Sequence, residues 1–289
     1  MTMIDDASSA SDEFDPNDPW ATIGMFDPEE TKTQGFFSEA GELLAFCLRT
    51  TRELPAAVRL FPAEVARHSS NMIRSNAAVV LFMLFMLGAL LGITGKFLFE
   101  PVGLESFVAA INSVPLMRGV IEIVFGWILA AKMGCGIVAE LGAMRISEEI
   151  DAMEVMGIRS LPYLVGTRIA AGIITLPFLF MLALGVHFLA ARLFFVDLLN
   201  VVSAGGFKSV LFLLQSPKDL IIAVMWGTLV GVVVTFVACY YGYNAKGGPV
   251  GVGRATAQAM LVNLVLISVI SVAIAQFFYA GAFGEAFGT

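Results

Sequence analysis

Four stretches of this chain carry no charged residue over a length sufficient to cross a bilayer: 75–95, 169–191, 220–245 and 255–284. Each meets the ~20 apolar residues that a spanning helix needs. A fifth stretch, 113–138, is interrupted by Arg118, Glu122 and Lys132. It qualifies as a span if those charges sit at its ends, or face protein or a water-filled cavity. The pattern therefore predicts an all-α integral membrane protein with five transmembrane helices, at about 75–96, 113–138, 165–191, 219–243 and 255–281.

Two further segments follow the period of a helix without being apolar all round. In 38–66, Leu43, Cys47, Thr50, Leu54, Val58 and Phe61 share one face, with Arg49, Arg52 and Arg59 opposite. That is the pattern of a helix lying on a membrane surface, and Pro55 is expected to kink it. The second is 147–157, between the second and third spans. At ~100° per residue, Ile146, Ile150, Met153 and Gly157 form one stripe, while Glu148, Asp151 and Glu154 spread over the other side. Ser147 reads as its N-cap, Glu148 and Glu149 suit the positive end of the helix dipole, and Gly157 can take a left-handed stop. A helix of about three turns is expected. A short charged helix in a membrane loop suggests a contact with another molecule.

Composition agrees, with 58% hydrophobic and 14% charged residues. The net charge of -7 misleads, because residues 1–37 hold nine acids against Lys32 alone. That segment, with Pro16, Pro19 and Pro28, reads as a disordered acidic tail, leaving 38–289 as one domain. With the N-terminus in the cytoplasm and the C-terminus outside, 12 of the 17 Lys and Arg fall on the inner side, as the positive-inside rule requires. The 147–157 helix then faces the cytoplasm, and the protein belongs in the plasma (inner) membrane. Nothing before residue 75 has the form of a signal peptide, and 197–218 is long enough to hold a short interfacial helix.

Enzyme chemistry finds no support. The sequence has neither His-Glu-x-x-His nor Gly-x-Ser-x-Gly, and the uncharged runs of spans three to five hold no acid for an intramembrane aspartyl site. The histidines are His68 and His187, and the latter reads as a hydrogen-bonded polar residue near a membrane face. Cys47, Cys135 and Cys239 lack metal-ligand spacing and read as packing residues. The 92–97 segment lacks the Ser or Thr that follows a phosphate-loop lysine, and Gly247–Gly253 reads as a tight turn opening the fifth span. Any energy for work must come from a partner. Small residues at helix-packing spacing, Gly88 and Gly92, Gly126, Ala130 and Gly134, Gly227 and Gly231, point to close packing within the chain.

The run Ala139-Glu-Leu-Gly-Ala-Met-Arg-Ile-Ser-Glu-Glu-Ile-Asp-Ala-Met-Glu-Val-Met-Gly157, then Arg168, and Cys239-Tyr-Tyr-Gly-Tyr with Gly247-Gly-Pro-Val-Gly-Val-Gly253, resemble the MlaE/YrbE permeases of ABC lipid transporters. Over about 38–280 they most resemble the B-type YrbE subunits of actinobacterial Mce systems. The resemblance implies a coupling helix that docks in a cleft of an ATPase. It assigns this ATPase-coupling interface to Ser147, Glu148, Glu149, Ile150, Asp151, Met153, Glu154 and Gly157. It also implies an A-type YrbE permease as heterodimer partner, an ABC ATPase dimer holding ATP and Mg, a ring of Mce proteins, and membrane lipids as cargo. No cofactor belongs to this chain, and no nucleic acid is expected. Import of fatty acids or related lipids follows from the same resemblance. The alternative is a non-transporting scaffold that anchors an extracellular Mce-type assembly. The second span departs from the family: Arg118-Gly-Val-Ile-Glu122 stands where Arg-Glu-Leu-Gly-Pro is usual, and Lys132 where arginine is common.

Overall fold

The computed structural model describes residues 36–103, 108–114 and 116–280. The acidic tail lies outside the described residues up to Gly35, as do the segment beyond 280 and the end predicted for the fifth span. The chain divides after Leu44; what is described of the first unit, 36–44, is the start of helix α1 (Phe36–Leu60). From there run α2 (Pro62–Phe99), α3 (Val108–Ser113), α4 (Ile121–Leu129), α5 (Cys135–Ile146), α6 (Glu149–Val155), α7 (Thr167–Arg192), α8 (Ala204–Leu214), α9 (Pro217–Tyr243) and α10 (Gly248–Ala275). No strand occurs among the described residues. Five assemblies are long and apolar enough to cross a membrane: Pro62–Phe99, Ala109–Ile146, Leu161–Leu198, Pro217–Tyr243 and Gly248–Tyr279. The protein is an all-α, multi-pass integral membrane protein.

The amphipathic segment expected at 38–66 ends earlier, at Leu60, and residues 62–66 already belong to the first span. The cause is Pro62, whose ring has no N–H to extend α1 but fits the first position of α2, where an N–H would be unpaired anyway. Pro55 lies inside α1 without ending it. Thr50 and Ala57 are fully buried, whereas Val58, expected on the same face, is 44% exposed. The inward stripe is thus rotated slightly from the sequence pattern. Burial pushes the Cys47 thiol up to about 11, as suits a packing residue.

The second span is not one continuous α-helix. Its helical pattern breaks at Arg118 (φ -108, ψ 27) and Gly119 (φ 161, ψ -45), and a wide π-turn at Ala130–Gly134 separates α4 from α5. The break carries Arg118 to a 3.1 Å ion pair with Asp219. Asp219 also accepts from the Ser216 backbone, completing the capping box that opens α9. Glu122 is fully buried, and neither carboxylate oxygen has a hydrogen-bond partner among the described residues. Lys132, at the wide turn, is exposed.

Close backbone approach holds the bundle together. α2 packs along α7 through Gly88 and Gly92; a Cβ on Gly88 would come within 2.5 Å of the His187 carbonyl oxygen, and one on Gly92 within 2.8 Å of Phe194 Cβ. Gly227 and Gly231 of α9 approach Phe180 and Leu176 of α7 in the same way, and Gly126 of α4 meets Val230 and Ile267. Gly88→Ala is therefore expected to destabilise the protein by about 1–3 kcal/mol, since a helix carbonyl cannot move aside cheaply. Thermal unfolding in detergent measures this, and an unchanged midpoint would contradict the close contact. α9 runs against α4, α5, α7 and α10 and buries Trp226, whose indole N–H donates to Ser271 Oγ at 3.1 Å.

At the end of the bundle remote from α6, the 197–218 connection does carry a short helix, α8, capped by Ser203. α8 packs on α3 around Ala109, Ala191, Phe195, Phe207 and Leu211. His187 is fully buried there, hydrogen-bonded to the Leu84 carbonyl at 3.3 Å and to Asn112 at 3.1 Å, and so joins α7 to α2 and α3.

Candidate functional site

The acidic helix α6 is shorter than its pattern suggested, seven residues or two turns rather than about three. Ser147 is not its N-cap. It closes α5 instead, its hydroxyl donating to the Ala143 carbonyl at 3.0 Å. The chain then reverses through Glu148, which takes the left-handed conformation (φ 58, ψ 16) and is itself the N-cap of α6. A serine four residues after a carbonyl in helical geometry satisfies that carbonyl as readily as it caps the next helix, so the pattern alone could not choose. The far end ends on a Schellman turn: Gly157 has φ +80, its N–H donates to the Glu154 carbonyl at 3.0 Å, and Ile158 N–H donates to Met153 at 3.0 Å.

Burial sorts the expected interface residues into two sets. Ile150 is fully buried and Met153 is half-buried, so these two anchor the helix rather than offer it, whereas Glu154 is exposed but held by hydrogen bonds. Glu148, Glu149 and Asp151 are exposed, with Asp151 held by Arg145 at 2.6 Å. Between them on the outer face stand Ala152, Val155 and Met156. Val155 is 89% exposed and Met156 69%. Sequence reading passed over both, because apolar side chains on a helix are ordinarily assigned to its buried stripe. The signal was available: Ile150 at ~200° from Glu148 places Val155 and Met156 on the acidic side of the wheel. A projecting apolar tip ringed by carboxylates is suited to insert into a partner's apolar pocket with a basic rim.

Struts fix α6 to the rest of the bundle. Glu154 accepts a hydrogen bond from Ser160 Oγ and one from the Tyr243 hydroxyl at 3.3 Å, and Ser160 and Tyr243 are themselves 2.8 Å apart. Tyr243 is the last residue of α9, and Ser160 opens the third span. Arg159 pairs with Glu53 of α1 at 2.6 Å, and Phe46 of α1 stacks edge-on against Tyr240 at 5.5 Å. Arg168, 3% exposed at the base of α7, bonds Glu140 of α5 at 2.8 Å and the Leu164 carbonyl at 2.7 Å. Clefts of about 440 and 590 Å3 flank the end of α6, the first bounded by Phe46, Arg49 and Tyr243, the second by Leu60, Phe61 and Tyr163. α6 is thereby tied through Glu154 to the end of α9 and the start of the third span, with Arg159 beside it paired to α1.

The model of the "Permease MlaE" family matches residues 65–277. The chain is 30% identical over 201 residues to a probable ABC transporter permease protein of Rickettsia bellii, covering 70% of this chain and 77% of that protein. It is 27% identical over 184 residues to trigalactosyldiacylglycerol 1, chloroplastic, of Arabidopsis thaliana, covering 64% of this chain and 52% of that protein. A probable ABC transporter permease of Pyropia yezoensis is 24% identical over 174 residues. A five-span helical bundle with a strutted acidic helix between its second and third spans, matched by that model over most of its length, belongs to the MlaE permease family: the chain is the permease of an ABC transporter.

Proposed function

We propose that the chain is the B-type YrbE permease of an Mce-type lipid transporter, paired with an A-type permease, seated on an ABC ATPase dimer and joined to a ring of Mce proteins. ATP and Mg bind at the ATPase, and the N-terminus and α6 face the cytoplasm of a plasma membrane. The observation that carries the reading is the exposed face of α6, Glu148, Glu149, Val155 and Met156, on a helix too firmly strutted to be a loose loop. ATP binding can shift a permease only through contacts that differ between its states, so a rigid joint on the ATPase side is what such a machine requires.

Lipid cargo, with fatty acids or related lipids imported, is supported by an apolar groove of about 640 Å3 between α7, α9 and α10, floored by Trp226 and edged by Ile173, Met225 and Leu229. The Arabidopsis relative is named for a diacylglycerol lipid. Purification from the native membrane in mild detergent tests the proposal. The expected result is an ATPase and a second permease in stoichiometric amounts, ATP hydrolysis, and acyl lipid in the mass spectrum of the released small molecules. Envelope proteins alone, with neither ATPase nor lipid, would instead indicate a scaffold.

A further inference from the structure

Between α2, the second span and the base of α7 lies a cleft of about 270 Å3, on the α6 side of the bundle. Its polar lining includes His68, Asn71, Asn76, Lys132, Glu140 and Arg168. These groups sit where the uncharged runs begin, at residues 75 and 169, which is the level of lipid headgroups rather than of acyl chains. Two of them lack what a polar group in that position needs. Lys132 is exposed on a membrane-spanning segment, and among the described residues it forms no ion pair. Asn76 is 4% exposed; its Nδ2 donates to the Met72 carbonyl at 2.8 Å, which fixes the amide, yet its Oδ1 accepts nothing among the described residues. Arg168 is already committed to Glu140 and Leu164. Its pairing offsets the one carboxylate in the cleft, so Lys132 leaves the local balance positive.

An unpaired ammonium at the edge of the hydrocarbon layer attracts an anion, and a buried carbonyl without a donor attracts a hydroxyl. The floor, Gly136 with Met133 and Ile137, is small and apolar enough to admit the first carbons of a chain. We propose that this cleft binds the anionic headgroup of a lipid from the leaflet on the α6 side, Lys132 pairing with its phosphate or carboxylate and Asn76 Oδ1 accepting from a headgroup hydroxyl. Phosphatidylglycerol supplies both features, and a fatty acid supplies only the charge. The cleft is separate from the apolar groove beside Trp226. It gives a lipid permease a place to hold cargo, or a resident lipid, on the side where ATP acts.

The inference rests on the reading of the chain as a lipid permease, and its test is run without nucleotide so that the two can fail separately. The full complex is placed in nanodiscs of phosphatidylcholine with graded phosphatidylglycerol, and retained lipid is measured by native mass spectrometry. Wild type and Lys132→Arg are expected to retain phosphatidylglycerol, and Lys132→Gln to lose about tenfold in its retention, the effect of one charge-assisted bond. Asn76→Asp keeps the size of the side chain and adds a like charge, and is expected to lose retention too. Oleate in place of phosphatidylglycerol separates carboxylate from phosphate: equal retention assigns the site to charge alone and removes the role given to Asn76. Competition by millimolar glycerol 3-phosphate would show that the headgroup binds without its chains. Equal phosphatidylglycerol retention by wild type and Lys132→Gln overturns the inference even if transport is intact. Lys132-dependent retention in a complex that moves no lipid leaves the site standing and overturns the transport reading.

Discussion

Reversing both exposed charges of α6, Glu148→Arg with Glu149→Arg, is expected to reduce ATP-driven transport by at least about tenfold while leaving the protein in the membrane at normal abundance. Neither carboxylate takes part in an ion pair or side-chain hydrogen bond among the described residues, so the folded permease loses little beyond their favourable place at the start of α6 when they change sign. A basic-rimmed docking site would meet repulsion in place of attraction, which costs several kcal/mol across an interface. Asp151 is the wrong residue for this test because it holds Arg145, and its loss would disturb α6 itself. Val155→Asp is the matching apolar test. Desolvating a new carboxylate at the centre of the contact is expected to cost more than removing a methyl group, so this single change should approach the double reversal in effect. Transport at the wild-type rate in either variant, with normal expression, would contradict the docking role.

Cutting the strut behind α6 is expected to give a different defect. With Ser160→Ala and Tyr243→Phe together, Glu154 loses both of its partners while the docking face stays intact. The ATPase should still bind and hydrolyse ATP, and transport should fall by about tenfold, since a joint that yields under load delivers less of the coupling free energy, which is of order 1–3 kcal/mol in such systems. ATP hydrolysis and lipid movement measured on one preparation separate this from the docking variants, which lose both. Parallel loss of ATPase binding would show that the strut merely shapes the docking face.

The helical bundle was legible in the hydropathy pattern because an uncharged run as long as 220–245 has few alternatives in a bilayer. The position of the acidic helix was legible too, but its limits were not. Ser147 and Pro62 each act on a neighbouring helix, and a pattern read one helix at a time gives both to the wrong element. The hydrogen bonding of Glu154 was hidden for a longer-range reason: its partner Tyr243 lies 89 residues away, and nothing local announces the pair. Arg118 and Glu122 made the second span doubtful on charge alone, and the structure answers with a helix break and an ion pair to Asp219 for the first, and complete burial for the second. The projecting Val155 and Met156 show the limit of the rule that apolar residues point inward, since a helix that docks on something else has two faces to satisfy.

The most direct test of the central claim is site-specific photo-crosslinking in intact cells from Val155, compared with Leu213 on α8 at the other end of the bundle, which is 79% exposed. The account predicts a crosslink from position 155 to a nucleotide-hydrolysing subunit and none to that subunit from position 213. A position 155 that reaches no such subunit, or that a membrane-impermeant reagent labels from outside the cell, would contradict it.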